Sequence, residues 1–120
     1  MSANVSAKRG PLAEIEPIKV GNLYIGPQYE STDTLWSASL KAIPQKGNEA
    51  WKTLLYSRPY DIAMERDVQQ IGLRSMKLVG SVLHVVDEWG SKFEIEAKSG
   101  KLLAPLKARI YERAGHRPGP

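Results

Sequence analysis

Between residues 18 and 103, apolar and polar positions alternate with period two over most of the chain. This is the pattern of strands that bury one face. Residues 19–25 read as a first strand, stopped by Gly26-Pro27 and followed by a loop over 28–33. The alternation is cleanest from Thr34 to Ile43: Trp36, Ala38, Leu40 and Ala42 share one face, and Ser37, Ser39 and Lys41 the other. Turn residues from Pro44 to Asn48 separate this run from a strand over 50–57, so the pair predicts a β-hairpin. Residues 68–79 return to strand, but the apolar parity changes from Ile71 and Leu73 to Met76 and Leu78. A bulge near Arg74-Ser75 restores the facing. Gly80-Ser81 then turns into 82–86, and Asp87 to Gly90 turns into 91–97, with Phe93, Ile95 and Ala97 inward. After Lys98-Ser99-Gly100, residues 101–103 form a last short strand.

Two segments leave this period. Residues 61–70 suit either a short helix capped by Asp61 or an ordered loop, since Ile62, Met64 and Val68 do not make a clean stripe. Leu102, Leu106 and Ile110 recur at every fourth position, with Pro105 suited to a first turn and Gly115 to a C-terminal stop. That spacing predicts a short helix over 104–114, although Leu106, Ala108 and Ile110 also fit an edge strand. The fold class expected is mainly β. It is an antiparallel meander forming a small sandwich, a partly open barrel or an extended sheet, with a short C-terminal helix. The expected organisation is a flexible N-terminal arm over 1–17, a β domain over 18–103, and a helix with a basic flexible tail over 104–120.

Composition changes this picture mainly by exclusion. With 120 residues the chain has room for one domain. It has no cysteine, which removes disulfides, thiolate metal sites and cysteine nucleophiles. No run approaches the roughly 20 apolar residues that span a bilayer. Lys8-Arg9 is not followed by the apolar core of a secretory signal. These features predict a cytoplasmic protein without membrane contact. The net charge of +4 is unevenly placed: residues 98–120 carry +5, residues 18–97 carry −1, and residues 1–17 are neutral. The basicity belongs to a tail and not to the body.

Two stretches resemble the strand pairs of PQQ-type β-propeller repeats. One is Thr34 to Ile43 with the turn Lys46-Gly47-Asn48-Glu49 and Ala50-Trp51-Lys52. The other runs from Val82 to Leu103, where Glu96-Ala97-Lys98-Ser99-Gly100-Lys101 matches the closing turn of the repeat, with Ala97 in place of Asp. A propeller closes with roughly four or more blades. At about 40–50 residues per blade, this chain holds at most two or three. The resemblance therefore implies an antiparallel meander and carries over no quinone cofactor.

Side chains capable of chemistry are sparse. His84 and His116 are the only histidines, too few for a metal site on count alone. His84 lies among Val82, Leu83, Val85 and Val86 and reads as a strand histidine. Glu65 with Asp67, and Asp87 with Glu88, read as solvated turn carboxylates, and no nucleotide or hydrolase motif is present. No catalytic residue, metal or cofactor is assigned. The first functional reading is a non-enzymatic interaction module, part of a larger assembly or a homo-oligomer, with Trp89, Tyr29 and Tyr60 as loop aromatics able to anchor a protein partner. The alternative is an OB-like binder of single-stranded nucleic acid that uses Lys107, Arg109 and Arg113. A third reading is a ligand binder or small enzyme with a pocket near His84, between the sheet and residues 104–114, with Glu94 or Glu96 as its partner.

Overall fold

Strands form where the alternation places them, and their apolar faces meet in one core. A computed structural model describes residues 12–111. Among these, nine strands build two sheets. The first sheet contains β1 (Ile18–Val20), β2 (Leu23–Ser31), β3 (Leu35–Pro44) and β4 (Trp51–Pro59) as a meander. The second contains β5 (Leu73–Val79), β6 (Val82–Asp87), β7 (Lys92–Glu96) and β8 (Leu102–Ala104), also as a meander. A short strand, β9 (Arg109–Ile110), returns to the first sheet and lies parallel to β4.

The inward positions are those the alternation assigns. Trp36, Ala38, Leu40 and Ala42 from β3 face Leu83, Val85, Phe93 and Ile95 from the second sheet in one buried cluster. Two β-bulges keep the apolar residues inward. One shifts the β5–β6 register between Leu73 and Ser75, where the parity change predicts it. The other, between Ala38 and Ser39, leaves Leu55 of β4 without a partner, so that Leu55 and Tyr56 are both buried. Buried aromatic rings bond across the gap between sheets. Trp36 Nε1 donates to the Ile71 carbonyl at 2.9 Å, and Tyr56 donates its hydroxyl proton to the same carbonyl at 2.5 Å. Trp51 Nε1 donates to the Ala97 carbonyl at 3.2 Å. Each ring thus buries its apolar body and satisfies its polar atom.

Two expectations change, and the alternative left open at 61–70 resolves. The first strand is a hairpin, β1–β2, turned at Gly21-Asn22, and β2 runs through Gly26-Pro27 as far as Ser31. Its pairing with β1 ends at Ile25, so β2 is an edge from Gly26 onward, and a residue without an N–H is tolerated there. The helix expected over 104–114 does not form in its described part, 104–111. After β8 the chain crosses to the first sheet as a strap, leaving Leu106 and Ile110 exposed. Their spacing of four faces solvent, while Tyr111 provides the buried anchor and its N–H bonds the Ser57 carbonyl at 2.8 Å. Residues 61–70 form an ordered loop with one 3-10 turn at Asp67–Gln69. Of the expected N-terminal arm, residues 12–17 are described, with Leu12 and Ile15 packed against the core. Residues 1–11 and the tail from 112 onward, including Arg113 and His116, lie outside the described residues.

Candidate binding surfaces

The turn after β6 places a charged and aromatic knot between the sheets. Asp87 is fully buried, and its Oδ1 accepts the N–H groups of Trp89 and Ser91 at 2.9 and 2.8 Å. Its Oδ2 accepts the hydroxyl proton of Tyr111, which also bonds Ser91 Oγ at 2.7 Å. The Trp89 ring packs on Tyr111, with centroids 5.0 Å apart, and the Arg58 guanidinium lies 4.8 Å from the Trp89 ring centroid. Burial, followed by the hydrogen bond to Asp87, raises the Tyr111 phenol above its ordinary value. Burial, followed by the negative charge of Asp87, does the same for Tyr56. Burial lowers the Arg58 guanidinium from its usual value.

The aromatic residues singled out from sequence are therefore committed to packing. Trp89 is half-buried between Arg58 and Tyr111. Tyr29 stacks on Trp36 at 5.3 Å, and its hydroxyl accepts the Leu73 N–H at 2.8 Å. Tyr60 is buried, bonds Ser31 Oγ at 2.6 Å and accepts from the Gln70 amide at 3.1 Å. Lys107 is exposed on the strap and Arg109 is half-buried beside Tyr56, with no aromatic platform between them. His84 sits on the outer face of the second sheet, paired with Lys77 on one side and Glu94 on the other, and lines neither described cavity.

Residues 61–70 present what those aromatics do not. Gln69 is fully buried and holds the loop from inside. Its Nε2 donates to the carbonyls of Asp61, Met64 and Glu65 at 3.0, 3.2 and 3.0 Å, and its Oε1 accepts the Asp61 N–H at 2.7 Å. Arg66 folds back with its guanidinium 4.4 Å from the Tyr60 ring centroid and bonds the Thr32 carbonyl. On this fixed frame Ile62 is 99% exposed, with Met64 and Val68 also exposed.

The outer face of the first sheet carries two cavities. One, of about 590 Å³, lies between residues 13–17 and β2–β3, and is lined by Tyr24, Gly26, Gln28, Lys41 and Ile43. The other, of about 400 Å³, has a floor of Ser37, Ser39 and Ser57, with Leu35 and Leu54 on its sides. Glu30 and Lys52 also line it and form an ion pair of 2.9 Å. Glu30 is opposite Ser37, and Lys52 is opposite Lys41, so this bridge crosses β3 above Ser39. Ser39 is 3% exposed and lines this cavity.

No protein-family model matches the chain, and no curated protein and no solved structure matches it. Sequence reasoning offered an ordered loop over 61–70 as one alternative but singled out neither Ile62 nor the serines of the second cavity as site residues. Ile62, set between Asp61 and Glu65 in a segment without strand period, is a signal that could have drawn attention. The polar parity of Ser37 and Ser39 marked an outer face but not a cavity.

Proposed function

We propose that this chain is a non-enzymatic binding module that engages a protein partner through the loop over residues 61–68. The observation that carries this reading is Ile62, almost wholly exposed on a loop whose backbone is fixed by the buried amide of Gln69. A fixed loop loses little conformational freedom on binding, which lowers the entropic cost of association. The surroundings define the partner's chemistry. Asp61, Glu65 and Asp67 flank the apolar residues, while Arg66 is turned back onto Tyr60. The complementary surface is an apolar pocket with a basic rim on another protein.

The test compares the tagged full chain with Ile62→Asp, each isolated from the organism that encodes it. The expected result is a protein present in stoichiometric amount with the parent chain and lost with the variant, both having the same circular dichroism. Light scattering identifies the case in which the partner is a second copy, because the mass is then a multiple of 13.3 kDa that falls to 13.3 kDa in Ile62→Asp. A parent chain that is monomeric and retains nothing, or a variant that retains the same partner, overturns the reading.

A further inference from the structure

We propose that the open face of the first sheet binds a neutral saccharide, seated on Ser37, Ser39 and Ser57 beneath the Lys52–Glu30 bridge. This goes beyond the loop reading and rests on a different face of the molecule. The first observation is the serine wall of the 400 Å³ cavity, formed by Ser37, Ser39 and Ser57, with Ser39 itself only 3% exposed.

The chemistry of the lining selects the ligand. Serine hydroxyls both donate and accept, as sugar hydroxyls do. Lys52 and Glu30 place a charged donor and a charged acceptor 2.9 Å apart, a spacing suited to two neighbouring hydroxyls of one ring. In the smaller cavity Lys52 is balanced by Glu30, so this part of the site offers no net charge to an ion, while Glu14 and Glu16 line the larger cavity beside Lys41. Leu35 and Leu54 supply apolar walls for the C–H faces of a sugar ring. Gln28 of the larger cavity is opposite Ser39 of the smaller, so the two cavities adjoin. Together they leave room for more than one ring, with Tyr24 exposed at the far end. Their volumes fall in the range of about 300–1,000 Å³ typical of small-ligand sites.

The test is an amide NMR titration of the full chain with cellotetraose, maltotetraose, xylotetraose and chitotetraose, with inorganic phosphate as the anionic probe. One of the neutral tetrasaccharides is expected to give saturable shifts at Gln28, Ser37, Ser39 and Ser57. Ser39→Ala and Lys52→Met are each expected to weaken this binding by about tenfold, equivalent to one lost hydrogen bond of about 1.4 kcal/mol. Lys92→Met, on the outer face of the other sheet, is expected to leave it unchanged. The proposal is overturned by absence of shifts with every sugar, by a response to phosphate alone, or by unchanged sugar affinity in both Ser39→Ala and Lys52→Met.

Discussion

Tyr111 shows how one hydroxyl can hold a strand. β9 pairs with β4 at only two positions, so its docking depends on the buried ring and on the hydroxyl that bonds Asp87 and Ser91. Tyr111→Phe keeps the ring and removes the donor, leaving the buried Asp87 Oδ2 short of a bond. The expected loss is about 1–3 kcal/mol, read as a lower urea midpoint with unchanged slope. The same pair sets an alkaline limit. Tyr56 and Tyr111 both ionise at higher pH in the folded chain than in the unfolded chain, where the value is about 10. Their neutral forms stabilise the fold fully below pH about 10. Above it the unfolded chain loses protons first, and stability falls with rising pH. The urea midpoint is expected to drop as pH rises above about 10, and to drop less steeply in Tyr111→Phe. An unchanged pH slope in the variant would show that Tyr111 does not contribute.

Turns between elements are fixed by close approach as much as by strand pairing. Gly100 has φ of +78°, and a Cβ there would lie 2.4 Å from the Trp51 ring, which seals the end of the core through its bond to Ala97. Gly100→Ala therefore combines backbone strain with a clash, and an expected loss beyond about 1 kcal/mol is measurable by thermal melting. Gln69→Leu removes four hydrogen bonds from the 61–70 loop while keeping a buried side chain of similar size. Amide exchange within that loop is expected to accelerate while exchange in β3 and β6 stays slow. Most strands were legible in the sequence because period two reports a half-buried sheet, and the parity change at Arg74-Ser75 located a real bulge. The strap was legible only through the edge-strand alternative for Leu106, Ala108 and Ile110, which β9 bears out at Arg109–Ile110. A spacing of four at Leu102, Leu106 and Ile110 mimics a helix, whereas burial of Tyr111 depends on Asp87, 24 residues away in the chain. The packing of the loop aromatics was not legible for the same reason: Trp89, Tyr29 and Tyr60 meet ring or hydrogen-bond partners from other elements. Gln69 gave no signal at all, since an amide that replaces a turn's backbone bonds looks like any surface glutamine.

At the scale of the whole molecule, the two meanders are joined by more than apolar contact. Trp36 and Tyr56 of the first sheet share one carbonyl, Ile71, in the segment that leads into the second. Tyr29 bonds Leu73 and Trp51 bonds Ala97, at two further points of the same seam. Separating the sheets exposes these aromatic rings and breaks their bonds. The open outer face of the first sheet, and the loop that carries Ile62, are supported by this shared core. Unfolding is expected to be a single transition. Trp36, Trp51 and Trp89 all pack on the core, so tryptophan fluorescence reports the seam, while far-ultraviolet dichroism reports the strands. Coincident midpoints in urea are the expected outcome. A fluorescence change that precedes loss of strand signal would mean that the sheets part before they melt, and the binding surfaces would then belong to separable halves.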